Sequence, residues 1–245
     1  MLKDVSYIVT AAIEILLPII LAIIIWKKFK VSWAIFFLGM VLFIASLIRT
    51  PLNNYLGTLL QKGFQGEIFY ILYGIMASLT AGIFEGGVRC IALGAVIKPR
   101  DYYKGIMYGI GHGGGGEAMV FIGFSTLANF IIYKFFPNIL PINILPQIQT
   151  AVWWLSLVGA MERIFAIAIQ IAFSVLIMYS FMSKKYYMIA ITIIFHAVVD
   201  FVAFYTNYKF GMWYSELSVF IFAVIGIVII VWHRPKNYKH AFGNS

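Results

Sequence analysis

The sequence predicts an all-α fold: a polytopic membrane helical bundle of about seven transmembrane helices, forming one integral membrane domain over residues 1–245. Three observations lead there. Hydrophobic residues make up 62% of the chain and charged residues 11%, against about 45–50% and about 25% in soluble domains. The apolar residues fall in runs of the ~20 residues that a helix needs to cross a hydrocarbon core about 30 Å thick. The basic residues gather in alternate loops, the pattern that orients membrane helices. So few charges cannot cover a water-facing surface, which excludes a soluble enzyme, a nucleic-acid-binding domain and a disordered chain. The net charge of +9 therefore reads as contact with an anionic lipid bilayer and not with nucleic acid. The single cysteine, Cys90, allows no intramolecular disulfide.

Residues 7–26 form the first span. Lys27, Lys28 and Lys30 follow it where a signal peptide would carry a small-residue cleavage site, so the helix is retained. Residues 32–49 form the second, ended by Arg49, Pro51 and the turn-like Asn53-Asn54. Residues 67–97 are apolar except for Glu85 and Arg89 and are long enough for a tilted or broken helix. Residues 104–133, 149–182, 186–206 and 216–232 complete the set, and 137–149 (PNILPINILPQIQ) reads as a Pro-rich loop. Four segments are rich in Lys and Arg: 27–31, 98–104, the turn at Lys184-Lys185, and the tail with Arg234, Lys236 and Lys239. The alternate loops hold only Lys62, Lys134 and Lys209. Seven crossings with the N-terminus outside and the C-terminus cytoplasmic place every basic-rich segment inside.

Ionisable groups inside spans are expensive, roughly +2.5–3.5 kcal/mol each on insertion scales, and mark functional sites by default. Within the spans stand Glu14, Glu85, Arg89, His112, Glu117, Glu162, Arg163, His196 and Asp200. Counting about 1.5 Å per residue from the cytoplasmic helix ends puts Arg89 and His112 roughly 12 Å deep, His196 roughly 15 Å and Glu85 roughly 18 Å. Glu117 and Asp200 fall at roughly 20 Å. Three helices thus bring polar groups to one layer. Glu85 and Arg89 are four apart on one face, as are His196 and Asp200 in FHAVVD and Tyr108 and His112. Two imidazoles and a buried carboxylate at one depth suit acid–base chemistry. Metal-free packing between helices would produce some of the same pattern.

The stretch GIGHGGGGEA (109–118) is the most unusual. Its glycines let another helix approach closely, although each costs about 1 kcal/mol against alanine in a helix. Glu117 lies five residues past His112, about 140° around an ideal helix, and joins it only if the glycines distort the helix. The literal G-x-G-x-x-G here has no βαβ context. No H-E-x-x-H and no G-x-S-x-G occurs in the chain, which disfavours a zincin-type and a rhomboid-like protease. Glu162 and Arg163 are adjacent, so on a helix they point apart and each is expected to find its own partner.

FEGGVR (84–89), YGIGHGG (108–114) and FHAVVD (195–200) stand in order on three spans. With these motifs the chain resembles the YhfC family of intramembrane proteases, a branch of the CAAX protease and bacteriocin-processing superfamily. The resemblance covers about residues 30–230 and includes SLTAGIFE and AMERIFAIA. It implies a glutamic-type peptidase in a prokaryotic cell membrane. Glu85 would activate water, His112 position it, Arg89 hold Glu85, and His196 with Asp200 stabilise the oxyanion; Glu117, Glu162 and Arg163 are secondary candidates. Two departures stand out: the family's glutamate doublet is Glu85-Gly86 here, and the last motif ends in Asp200 in place of Asn. An ionised Asp repels an oxyanion, so Asp200 must be protonated or act by orienting His196.

The function expected is therefore hydrolysis of a peptide bond in a membrane-embedded or lipid-modified substrate. A proton-coupled transporter or channel, or a non-catalytic member of the same family, are the alternatives. No cofactor is expected, although two histidines with Glu85 or Asp200 have the ligand types that zinc takes.

Overall fold

The computed structural model describes residues 2–139 and 150–235. Most of the Pro-rich stretch, together with the tail lysines Lys236 and Lys239, lies outside the described residues. Among those described there are helices and no strands: α1 (Leu2–Phe29), α2 (Trp33–Ser46), α3 (Arg49–Gly63), α4 (Gly66–Cys90), α5 (Tyr102–Gly109), α6 (Phe124–Phe135), α7 (Leu155–Ser183), α8 (Tyr187–Phe210) and α9 (Met212–Trp232). Two π-helical stretches extend them, Ile91–Val96 after α4 and Ile110–Gly123 between α5 and α6. Seven continuous helical segments are long and apolar enough to cross a membrane. The protein is an integral membrane protein.

The second segment runs Trp33–Gly63, well beyond the end expected at Arg49. Only Leu47 and Ile48 interrupt it. Pro51 falls in the first turn of α3, where the missing N–H would have had no partner anyway. A proline read as a stop is equally a start signal, and here it opens the second half of one span.

Helix ends follow local chemistry. Ser32 caps α2 through its hydroxyl, and the Asp101 carboxylate accepts from the amides of Tyr103 and Lys104 to cap α5. Such caps satisfy amides that a helix start leaves without partners.

Helix α7 is the centre of the bundle. Two-thirds of its apolar stretch (67%) is buried, against at most 28% in any other span. It packs against α1, α5, the longer π-helical stretch, α8 and α9, while α4 pairs with α8. Residues on the outer faces of the other spans, such as Ile20, Ile83, Ile194 and Ile227, are exposed and apolar, as lipid contact requires.

The α2–π contact is the closest. A Cβ on Gly111 would run into the Phe36 carbonyl, and one on Gly39 would lie 2.5 Å from the Tyr108 carbonyl oxygen and 2.8 Å from the His112 amide nitrogen. Glycine at both positions lets two backbones touch and fixes the depth of His112 against α2.

Candidate functional site

Five elements converge on Glu85, with α3 supplying Arg49. Helix α4 supplies Glu85 and, one turn on, Arg89; the π-helical stretch supplies His112; α8 supplies His196 and Asp200; α7 supplies Gln170. Glu85, Arg89, His112, His196 and Gln170 are all buried. Glu85 Oε2 lies 3.1 Å from His112 Nε2, 3.9 Å from His196 Nε2, 3.3 Å from Arg89 Nη2 and 3.3 Å from Gln170 Nε2. Its other oxygen accepts from Arg49 Nη2 at 3.0 Å. An imidazole N–H donating to Glu85 leaves His112 Nδ1 as acceptor, facing the Tyr108 hydroxyl at 3.5 Å. His196 stacks on Phe173 (centroids 4.6 Å apart), and the same ring lies 5.8 Å under the Arg89 guanidinium. Phe43 meets His112 edge-on at 5.3 Å. Rings thus hold both imidazoles, and hydrogen bonds hold His112 as well.

A polar chain continues from this centre. Gln170 accepts from Arg89 and donates to both Glu85 and, at 3.0 Å, Glu117. Glu117 pairs with Arg163 at 2.7 Å, and Arg163 also bonds Glu162. Three carboxylates (Glu85, Glu117, Glu162) are therefore set against three guanidinium groups (Arg49, Arg89, Arg163). Breaking such a buried pair is costly because it strands the remaining charge. The rim of the centre is formed by Arg49 and Asp200, whose side chains are 21% and 38% exposed.

The structure brings together Glu85, Arg89, His112 and His196. Asp200 sits at the edge, 3.5 Å from His196 Nε2. Glu117 reaches the centre through Gln170, and the helix distortion this needs is present: over Ile110–Gly123 the backbone is π-helical, so the residue five along returns to nearly the same face. The expectation that Glu162 and Arg163 find separate partners is corrected, since Arg163 bonds both Glu162 and Glu117. A guanidinium on a long stem reaches back to its neighbour even though the two Cβ atoms diverge. Two contributors were missed. Gln170 is uncharged and drew no attention among ionisable groups. Arg49 reads from the sequence as the end of the second span, because Pro51 hides the continuation of its helix.

These features define a polytopic membrane protein with a carboxylate–imidazole–guanidinium centre sealed inside its bundle. Comparison with known proteins supplies the family. The family model described as YhfC intramembrane metalloprotease matches residues 13–228, and the chain belongs to the YhfC family. It is also similar to the "Uncharacterized membrane protein YhfC" of Bacillus subtilis (strain 168), at 28% identity, covering 91% of this chain and 92% of that protein. No solved structure matches it.

The family description implies a metal. His112 Nε2, His196 Nε2 and Glu85 Oε2 are of zinc-ligand type. As arranged, however, both Glu85 oxygens bond guanidinium groups, which would set a divalent cation beside two fixed positive charges. Among the described residues no group of three His, Cys, Asp or Glu side chains is disposed to hold a metal ion. The donor set present does not fit a resident metal.

Proposed function

We propose that the protein is an intramembrane endopeptidase of the glutamic type, cleaving a membrane-embedded or lipid-modified peptide, in line with the superfamily that FEGGVR, YGIGHGG and FHAVVD resemble. The observation that carries this reading is the Glu85 carboxylate held between two imidazoles and two guanidinium groups. The 3.9 Å between Glu85 Oε2 and His196 Nε2 is the seam that widens to admit water and the scissile carbonyl. Glu85 takes a proton from water as the oxygen attacks the carbonyl carbon, with His112 fixing the carboxylate from its other side. The Nε2–H of His196 faces the resulting oxyanion; Asp200 Oδ2 lies 3.5 Å from that same nitrogen, so in this step Asp200 is protonated or turned toward the rim. The proton on Glu85 then passes to the leaving amine as the C–N bond breaks. Arg89 and Arg49 hold the Glu85 carboxylate in register between turnovers.

The test is cleavage of a library of transmembrane and prenylated peptides by purified protein in detergent, read by mass spectrometry. Glu85→Gln is expected to lower the rate at least about 100-fold, the range of general-base contributions, while chelators leave the wild-type rate unchanged. Equal rates for wild type and variant would sink the proposal. The line of groups from Glu85 through Gln170 to Glu117 and Arg163 is what a proton-coupled transporter would use. Proteoliposomes with an internal pH dye are expected to show no proton flux above empty vesicles.

A further inference from the structure

A cavity of about 480 Å³ opens at the end of the bundle where α1 gives way to α2 and α4 to α5. Its lining includes Lys30, Lys98 and Lys104, with Ser32 beside them and Phe29 and Ile35 as an apolar wall. Three lysines from two segments, the α1–α2 turn and the 98–104 stretch, therefore line one pocket. None of the three forms an ion pair with a carboxylate among the described residues, and Lys98 and Lys104 donate only to backbone carbonyls (Gly94 at 2.7 Å; Lys98 at 3.4 Å and Pro99 at 2.8 Å). Asp101 also lines the pocket, but its Oδ1 is engaged by the amides of Tyr103 and Lys104. Desolvation, with the Arg100 charge behind it, holds the Lys98 ammonium below the ordinary lysine range. An anion in the pocket would offset the Arg100 repulsion.

The backbone points the same way. Lys30 adopts a left-handed conformation with φ of 56°, a position that favours glycine at the end of a helix. The turn sets Lys30 in the pocket lining beside Ser32. Trp26 and Trp33, 6.4 Å apart, flank the turn, and tryptophans concentrate at the headgroup level of a bilayer.

We propose that this pocket binds a phosphate ester, with the ammonium groups of Lys30, Lys98 and Lys104 on the phosphate oxygens and Phe29 and Ile35 against the adjoining hydrocarbon. The mixed lining favours an anionic phospholipid headgroup, though a free phosphate shares the same charge contacts. The proposal is independent of any peptidase activity.

Purified protein is titrated with phosphatidylglycerol, with phosphatidylcholine and with inorganic phosphate, and bound adducts and unfolding temperature are followed. Wild type is expected to bind phosphatidylglycerol at least about tenfold more tightly than phosphatidylcholine. The double variant Lys30→Gln/Lys104→Gln is expected to lose that preference. Lys27→Gln/Lys28→Gln, which removes the same charge outside the pocket, is expected to keep it. Inorganic phosphate that competes with the lipid assigns the pocket to the phosphate group alone; phosphate that does not compete assigns it to the intact lipid. No preference in the wild type, or equal loss in both double variants, overturns the site.

Discussion

Gln170 has no charge, yet its amide touches three charged groups: it accepts from Arg89 and donates to Glu85 and Glu117. An amide suits this place because one end donates and the other accepts, so it bridges a guanidinium and two carboxylates without adding charge. Gln170→Leu leaves those groups without their bridge in a dry interior, which costs about 1–3 kcal/mol. The expected outcome is a lower unfolding midpoint in detergent and, under the peptidase reading, a loss of cleavage of at least about tenfold. Retention of both would mean that Gln170 is only a space filler. The same residue marks how far sequence reading reaches at this scale. Glu85, Arg89, His112 and His196 were legible because a charge or an imidazole in an apolar run needs a reason. Gln170 and Arg49 were not, one because its polarity is milder and the other because its position depends on a helix that continues past Pro51, where the sequence signals a stop.

The π-helical stretch Ile110–Gly123 is where element-scale physics decides the site. Four successive glycines lack the side chains that hold an α-helix in its usual register, and the looser winding sets Glu117 and His112 on related faces. The sequence alone could state this only conditionally, since glycine permits distortion without specifying which one. What specifies it is contact: α2 lies against the stretch through Gly39 and Gly111, with backbone atoms as the obstacles to any larger residue. Gly111→Ala is expected to cost about 3 kcal/mol or more, the upper end of overpacking effects, because a carbonyl cannot rotate aside as a side chain can. Gly87→Ala is the comparison: nothing lies within 4 Å of its added Cβ, so stability should hold or rise by up to about 1 kcal/mol. Thermal unfolding of both variants in one detergent checks the contrast. Similar losses at the two positions would mean that glycine is needed for backbone freedom and not for close approach.

Across the whole molecule, charge is divided between the two ends of the bundle. Lys27 and Lys28 close α1 and Lys30 follows it, Lys98 and Arg100 precede α5 with Lys104 in its first turn, Lys184 and Lys185 join α7 to α8, and Arg234 follows α9. At the opposite helix ends stand Lys3, Lys62, Lys134 and Lys209, with Lys134 paired to Asp4 and Lys209 to Glu67, both at 2.7 Å. Nine basic residues at one end against four at the other, among the described residues, is the asymmetry that retains a loop in the cytoplasm, where Lys and Arg count and acidic residues count little. If the seven segments each cross once, the termini lie on opposite faces and the C-terminus is cytoplasmic. A fluorescent protein fused after the last residue should then fold and fluoresce, and alkaline phosphatase at the same point should be inactive. In a Cys90→Ser background, a cysteine placed at Lys184 should resist a membrane-impermeant maleimide in intact cells and react once the cells are opened, whereas one at Lys134 should react from outside. Placing Lys30, Lys98 and Lys104 on the cytoplasmic side would also put their pocket in the leaflet whose anionic lipids carry the negative surface potential. The reverse labelling pattern would overturn the orientation and move that pocket to the other leaflet, while leaving the internal geometry around Glu85 unchanged.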